Sequence, residues 1–100
     1  MLDIDPILLG TFQSLKRPIS ARRAFLAVAH ERGRQDDRFG SQNMAPAESH
    51  MIISTLQGEL AMAIRRESEA HIAKAFSQIA ATATQGLETI IAAGVKHDEL

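Results

Sequence analysis

The basic side chains of this chain are concentrated in its first half, and closely spaced basic groups are what an anion site requires. Seven of the eleven lysines and arginines lie between residues 16 and 38, namely Lys16, Arg17, Arg22, Arg23, Arg32, Arg34 and Arg38. Two interpretations fit this cluster. Either it is a solvated helix face that Glu31, Asp36 and Asp37 partly balance, or it binds a nucleotide phosphate or an acidic partner.

A single carboxylate, Glu59, is the other candidate for chemistry. It lies four residues after Thr55 and four before Ala63, so a helix places it on or beside an apolar stripe, where an unpaired carboxylate is uncommon. Competing catalytic groups are scarce. The chain has no cysteine, its four histidines form no close pair of metal ligands, its serines lie in no nucleophile elbow, and no glycine-rich phosphate loop occurs.

The composition predicts one small all-α domain over residues 1–100. Apolar residues make up 45% of the chain and aromatic residues only 4%, which favours helices over sheets. A domain this small buries only a little over roughly 60% of the surface that its unfolded chain exposes, so we expect its stability to depend on a partner chain. A net charge of -1 argues against a nucleic-acid-binding protein. Because long apolar runs and a signal peptide are absent, we predict no membrane insertion and a cytoplasmic location.

Hydrophobic spacing predicts about four helices. A lead-in helix within residues 1–19 starts near Pro6 and cannot continue past Pro18, and Ser20 is the predicted N-cap of the second helix. A loop reaches Pro46, a third helix runs from residue 47 to about 66, and Gly94 ends the last one before a flexible tail at residues 95–100. The clearest apolar stripe lies on the last helix and comprises Ile72, Phe76, Ile79, Ala83, Leu87, Ile90 and Ile91.

The sequence does not decide whether residues 66–69 break the helix or join the last two helices into one. We favour a break, because two amphipathic helices folded into an antiparallel hairpin bury their stripes against each other.

Two motifs in this order resemble a known family. They are Glu31-Arg-Gly-Arg-Gln-Asp-Asp-Arg-Phe-Gly-Ser-Gln-Asn43 and Leu56-Gln-Gly-Glu-Leu-Ala-Met-Ala-Ile64. Together they resemble the all-α nucleoside-triphosphate pyrophosphohydrolases of the MazG-like superfamily, whose short phage-type members carry Arg-Gln-Asp-x-Lys-Trp-Gly-x-Gln-Asn ahead of a Glu-Glu-x-Gly-Glu helix. The resemblance covers roughly residues 20–93. It implies a small helical bundle of MazG-like type that is completed by oligomerisation.

The resemblance also implies a nucleotide pocket beside the first motif. The candidates for base or phosphate contacts are Gln35, Arg38, Phe39, Gln42 and Asn43, with Phe39 standing where the family usually has Trp. An aromatic ring stacks on a base, and an arginine binds phosphate. The alternative is that Phe39 is a core residue and that Asp36 and Asp37 form a polar cluster at a helix end.

The metal-binding acids that the resemblance implies are mostly missing. In the superfamily, carboxylates on two helices bind Mg²⁺, which neutralises the triphosphate and activates a water that splits NTP into NMP and pyrophosphate. Carried over residue by residue, Glu59 is the one acid retained in the second motif. Thr55 and Leu56 stand where the other two are expected. The resemblance therefore implies Glu59 as the residual candidate for a metal ligand.

On the last helix, Lys74 and Ala75 stand where related sequences have acids, ahead of a shared run that starts at Gln78. Gln78 is a weak candidate for a metal ligand, and Lys74 would repel the ion if it faces the site. Asp36, Asp37 or Glu69 are alternative ligands if the acids have been displaced.

Three functions remain in view. The leading prediction is a degenerate, catalytically silent nucleotide-pyrophosphohydrolase-like protein of a bacterial or phage-infected cell, with weak nucleotide binding at most and no assigned cofactor. The second is a phage or mobile-element module that binds and inhibits a host protein complex. The third is an active Mg²⁺-dependent pyrophosphohydrolase with displaced ligands. The resemblance further implies a homo-oligomer.

Overall fold

Four α-helices, with no strand, form the part of the chain that the structure describes. The computed structural model describes residues 6–39, 45–96 and 98. The helices are α1 (Pro6–Gln13), α2 (Pro18–Phe39), α3 (Pro46–Arg65) and α4 (Glu69–Ala92). The prediction of a small all-α bundle with about four helices is therefore confirmed. Within the described ranges, no helix has the length and apolar character needed to cross a lipid bilayer.

Prolines start the second and third helices. α2 begins at Pro18, so the predicted N-cap at Ser20 is wrong, and α3 begins at Pro46. Proline suits a first helical position because its ring fixes φ near the helical value and the missing N–H has no partner there anyway. α1 ends earlier than predicted, at Gln13, whereas α2 continues through Gly33 without interruption.

The predicted break between the last two helices is confirmed, since residues 66–68 form a turn. Glu67 has a φ of 55°, in the left-handed region, where it reverses the chain direction. Ser68 is the N-cap of α4, and its hydroxyl accepts a hydrogen bond from the His71 N–H at 3.4 Å. The predicted stop is also confirmed, because α4 ends just before Gly94, which has a φ of 109°.

α3 and α4 pack as an antiparallel hairpin. Ser49, near the start of α3, lies beside Gly86, near the end of α4, and a Cβ added at this glycine would stand 3.7 Å from the serine hydroxyl. α2 packs on α4 from another side, and α1 on α2. The rings of Phe12 in α1 and Phe25 in α2 meet edge to face, with their centroids 5.0 Å apart.

The residues buried between these helices are mostly small. Among the described residues no large side chain is fully buried, and the buried positions are Phe12, Ser49, Ala63, Ala75, Ala81, Thr82 and Gln85. Ala81 has no exposed surface at all. Small side chains allow helix axes to approach closely, so the hairpin owes its packing to close backbone approach rather than to bulky interdigitating residues.

The larger apolar residues of α4 lie on its uncovered side. Five exposed residues share this side, because steps of three, four and seven return to one face of a helix with 3.6 residues per turn. We call them the outer stripe, and they are Phe76, Ala83, Leu87, Ile90 and Ile91. The expectation that this apolar stripe is buried against α3 is wrong for these five. Ala75, Thr82 and Gln85 are buried on α4 instead, since periodicity identifies an apolar side without saying what covers it.

Candidate functional site

A cleft between α3 and α4, beside the turn that joins them, is a candidate for a ligand site. Its volume is about 450 Å³, within the range of roughly 300–1,000 Å³ that is usual for small-ligand sites. Its polar lining consists of Glu59, Arg66, Ser68, His71, Lys74 and Gln78, and its apolar lining of Met62, Ala63 and Ala75. The cleft therefore combines an apolar floor with polar groups of both charges.

Helical spacing explains why these polar residues meet. On α4, His71, Lys74 and Gln78 follow one another at steps of three and four, so they share one face. On α3, Glu59 and Arg66 are seven residues apart and also share a face. The antiparallel turn then places the two faces on opposite walls of one cleft.

The charge of the cleft is predominantly positive. Arg66 and Lys74 carry permanent positive charges at neutral pH, and Glu59 is the one carboxylate in the lining. Lys74 faces the cleft, which is the position in which it would repel a metal ion. All three charged side chains are exposed to solvent, so water screens their mutual interactions.

These groups do not fit Mg²⁺. The structure does bring the two predicted ligands, Glu59 and Gln78, into the lining of one cleft. Mg²⁺, however, prefers hard anionic oxygens in near-octahedral geometry, and one carboxylate with one amide oxygen supplies little of that beside Lys74 and Arg66. The described ranges contain no group of three or more His, Asp or Glu residues able to hold a metal ion.

The alternative acidic ligands lie elsewhere. Asp36, Asp37 and Glu69 are absent from the lining of the cleft. Asp36 instead accepts a hydrogen bond from Arg32 Nη1 at 3.2 Å, and Glu69 occupies the first turn of α4, where its charge suits the helix dipole. The positions of these three residues therefore do not support the alternative in which they replace the missing metal ligands.

Gln35 and Arg38, the nucleotide-contact candidates of the first motif whose side chains the structure describes, do not line the cleft either. Gln35 and Arg38 lie on α2, and the side-chain oxygen of Gln35 accepts a hydrogen bond from Arg32 Nη1 at 3.5 Å. Phe39 is the last residue of α2. The side chain of Phe39 and both of the remaining candidates, Gln42 and Asn43, lie outside the described residues.

Arg32 is the residue whose role the sequence analysis missed. Its side chain is only 14% exposed, and it donates hydrogen bonds from Nη2 to Glu88 Oε2 at 2.7 Å and from Nη1 to Asp36 Oδ1 at 3.2 Å. The hydrogen bond to Glu88, followed by the charges of both acids, raises the pKa of Arg32 above its usual value despite burial. Asp36 at i+4 could have been predicted from spacing. Glu88 on α4 is 56 positions away and could not.

Glu31 connects the basic cluster of α2 with the cleft. Arg34 donates two hydrogen bonds to its carboxylate, at 2.6 and 2.9 Å. The hydrogen bond from Arg34 holds the pKa of Glu31 below its usual value against the opposing effect of burial, and the positive charge of Lys74 lowers it further. The positive charge of Lys74 thus affects Glu31 on α2 as well as the cleft. The contacts of Arg34 with Glu31 and of Arg32 with Asp36 show that acids balance this part of the basic cluster, but Arg32 is largely buried and does not belong to a solvated face.

Comparisons with known proteins identify no relative of this chain. No family model matches the chain, and neither a curated protein nor a solved structure matches it. A function must therefore be inferred from the residues of the cleft and from the surfaces around it.

Proposed function

We propose that this chain is a degenerate, catalytically silent protein of MazG-like type whose α3–α4 cleft binds the phosphate groups of a nucleotide weakly and without a metal. The observation that carries the proposal is the charge of the cleft. Lys74 and Arg66 line it together with the single carboxylate of Glu59. By the resemblance, Lys74 and Ala75 occupy positions where acids would hold Mg²⁺.

The replacement of an acid by Lys74 favours phosphate binding and removes a group that catalysis would need. Hydrolysis of a triphosphate requires its negative charge to be neutralised and a water to be activated, and Mg²⁺ held by several carboxylates would do both. Lys74 and Arg66 attract phosphate oxygens and donate hydrogen bonds to them. Neither side chain supplies the metal ion or the carboxylate that would activate a water. The expected activity is therefore binding without turnover.

Calorimetric titration with ATP, with and without Mg²⁺, tests this proposal when it is joined to an assay for released pyrophosphate. We expect no turnover and a dissociation constant on the order of 1 mM, because the cleft is open and its cations are solvated. The double variant Lys74→Ala/Arg66→Ala should weaken binding at least tenfold. Arg22→Ala/Arg23→Ala, which removes two cations outside the cleft, is the matched control.

Two results would contradict the proposal. Metal-dependent release of pyrophosphate that Glu59→Ala abolishes would show that the carboxylate still serves an active site. Equal binding by the cleft variant and its control would show that the phosphate groups bind elsewhere on the chain.

A second candidate function is a module of a phage or mobile element that binds a host protein and thereby inhibits a host complex. The observation that favours it is the exposure of the outer stripe on α4. A comparison of proteins captured from a host lysate by the wild-type chain and by Leu87→Glu tests it. A single partner that the variant loses would support this function, and identical captures would argue against it.

The proposal includes a homo-oligomer, as the resemblance implies. Such an assembly needs a surface through which identical copies meet, and the exposed apolar residues of α4 supply a specific candidate.

A further inference from the structure

We infer that the outer stripe is the interface of a homodimer in which the α4 helices of two copies pack antiparallel about a two-fold axis beside Ala83. The inference rests on the proposed function for the expectation of an oligomer, and it adds the surface, the orientation and the position of the symmetry axis. The charge, exposure and order of the residues along α4 support it.

The uncharged middle of α4 is the first observation. Residues 75–87 contain no charged side chain on any side of the helix. The polar residues of this stretch are all buried or half-buried, so the exposed side of the helix is apolar; they are Ser77, Gln78, Thr82, Thr84 and Gln85. α2 and α3 cover one side of α4, yet on the other side Phe76 is 56% exposed and Leu87 is 46% exposed. The stripe is therefore the part of this helix that still lacks a cover.

The surface area of one protomer gives the second observation. The chain exposes 7926 Å² and has a mass of 10.9 kDa, whereas a compact monomer of that mass exposes roughly 5,600 Å². The radius of gyration, 14.9 Å, also exceeds the value of about 13 Å for a compact chain of this length. The excess of roughly 2,300 Å² belongs to the whole chain, of which the outer stripe is one part, and it is larger than the ~800 Å² that each partner contributes to a standard interface. A dimer has enough surface to form on.

The order of residues along the stripe indicates which partner fits. Ala83, with Ala80 one turn before it, separates Phe76 from a second group of large residues at Leu87, Ile90 and Ile91. Two crossing helices are closest at the crossing point and diverge away from it. Small residues therefore belong at the centre of such a pair and large ones at its ends.

A two-fold axis beside Ala83 satisfies this requirement for two copies of this chain. The antiparallel arrangement places Phe76 of each copy against the end of the other stripe, at the level of the partner's Ile90. The same patch then contacts itself, as a two-fold interface demands. Because the stripe carries no charge between residues 75 and 87, two identical surfaces meet there without like-charge repulsion.

Sedimentation equilibrium and native mass spectrometry of the full chain test this inference. We expect a species of twice 10.9 kDa, and we expect Leu87→Glu to convert it to a monomer of unchanged helical content by circular dichroism. Ile19→Glu is the matched control, since Ile19 lies on α2 and is 71% exposed. It should leave the dimer intact.

A pair of charge variants locates the two-fold axis. Ala83→Glu and Ala83→Lys should each be monomeric, because like charges meet at the axis, and a mixture of the two should form a one-to-one heterodimer. If either charged variant loses helix, Ala83→Cys tests the same contact without a charge, since the chain has no native cysteine. We expect it to form a disulfide-linked dimer on mild oxidation, and Ala27→Cys on the exposed side of α2 to remain unlinked.

Several outcomes would overturn the inference. They are a wild-type monomer at every concentration tested, a Leu87→Glu variant that stays dimeric, or an Ala83→Cys variant that forms disulfide-linked dimers no faster than the Ala27→Cys control. A wild-type monomer would mean that the outer stripe binds a different protein. Because the outer stripe does not line the cleft, the nucleotide titration and the mass measurement fail independently. A monomer that binds nucleotide would refute the dimer and leave the proposed function standing.

Discussion

The two sides of α4 differ in what they carry and in what covers them. On the covered side, alanine, threonine and glutamine residues pack beneath α2 and α3, with Ala81 completely buried. On the uncovered side, phenylalanine, leucine and isoleucine remain exposed. This contrast shows that the apolar pattern of the helix does not report the core of its own protomer. Its strongest apolar residues are available to another surface.

This division has an energetic meaning. Full burial of a large apolar side chain contributes about 1.5–3 kcal/mol, and the outer stripe gains only part of that within one protomer. The covered side gains less area per residue but is packed tightly, because its small side chains bring the helices together. Substitutions on the two sides should therefore act on different quantities. Inside, they change the free energy of unfolding of the protomer, and outside they change association.

The largest effect on the protomer is expected from Ala81→Leu. Ala81 has no exposed surface, so three added carbon atoms must displace the groups packed around it, which lowers the free energy of unfolding by about 1–3 kcal/mol. Ala73→Leu adds the same atoms at an exposed position of α4 and should change stability little. Urea denaturation followed by circular dichroism measures both. Equal effects at the two positions would erase the distinction between the sides of α4.

Next in size is Arg32→Met, which removes the polar link between α2 and the covered side of α4. The loss of hydrogen bonds to Glu88 and Asp36 should lower the free energy of unfolding by about 1–2 kcal/mol, since both acids are half exposed and regain water. The control is Arg22→Met, which removes an exposed arginine of the same helix. Denaturant titration at low and high salt should show the difference shrinking with salt, and a salt-independent loss would indicate that packing of the side chain matters more than its charge.

A gain of stability is expected from Gly58→Ala, on the exposed side of α3. No atom lies within 4 Å of an added Cβ there, so the change improves helix propensity without a clash and should add about 0.5–1 kcal/mol. Gly94→Ala is the opposite case, because a φ of 109° strains any side chain. Thermal unfolding of the two variants should move in opposite directions. A clash at position 58 would reveal a surface that packs against something in solution.

The smallest effect should come from Glu31→Gln, and it should be present at neutral pH and disappear at acidic pH. The pKa of Glu31 is lowered in the fold below its usual 4.5, so its contribution is present above that value and is lost as pH falls through the folded pKa. The wild type should thus lose slightly more stability between pH 7 and pH 3 than the variant does. Urea midpoints at the two pH values measure this. Parallel losses in both chains would show that Arg34 and Lys74 do not stabilise the carboxylate.

Much of the architecture is predictable from local signals. Apolar spacing, Pro18 as a barrier to α1, Ser68 as a helix cap and Gly94 as a stop identify four helices and the break between the last two, since each signal acts within one turn of the chain. The errors lie at the ends of helices, namely the start of α2 and the end of α1. Pro18 predicts an end for α1, yet proline is equally suited to begin a helix, and it begins α2.

The site is less predictable, for a different physical reason. The cleft depends on which sides of α3 and α4 face each other, and that rotation is set by close contacts such as Ser49 with Gly86, which join residues far apart in sequence. The sequence identifies Glu59, Lys74 and Gln78 as relevant residues, and the structure assembles them. The structure adds Arg66 and His71 to the lining, because the turn at residues 66–68 brings both of them to the cleft.

The lack of charge between residues 75 and 87 also fixes how the chain should respond to its solvent. Nothing in the middle of the outer stripe titrates, so acid and moderate salt act on the protomer through Glu31 and Arg32 while leaving association through this stripe almost unchanged. Temperature, in contrast, should act mainly on association through the outer stripe. Contacts between apolar surfaces weaken on cooling, and salts such as sulfate strengthen them. Dilution in the cold, rather than a change of pH, is therefore the condition that should separate two copies with each protomer still folded.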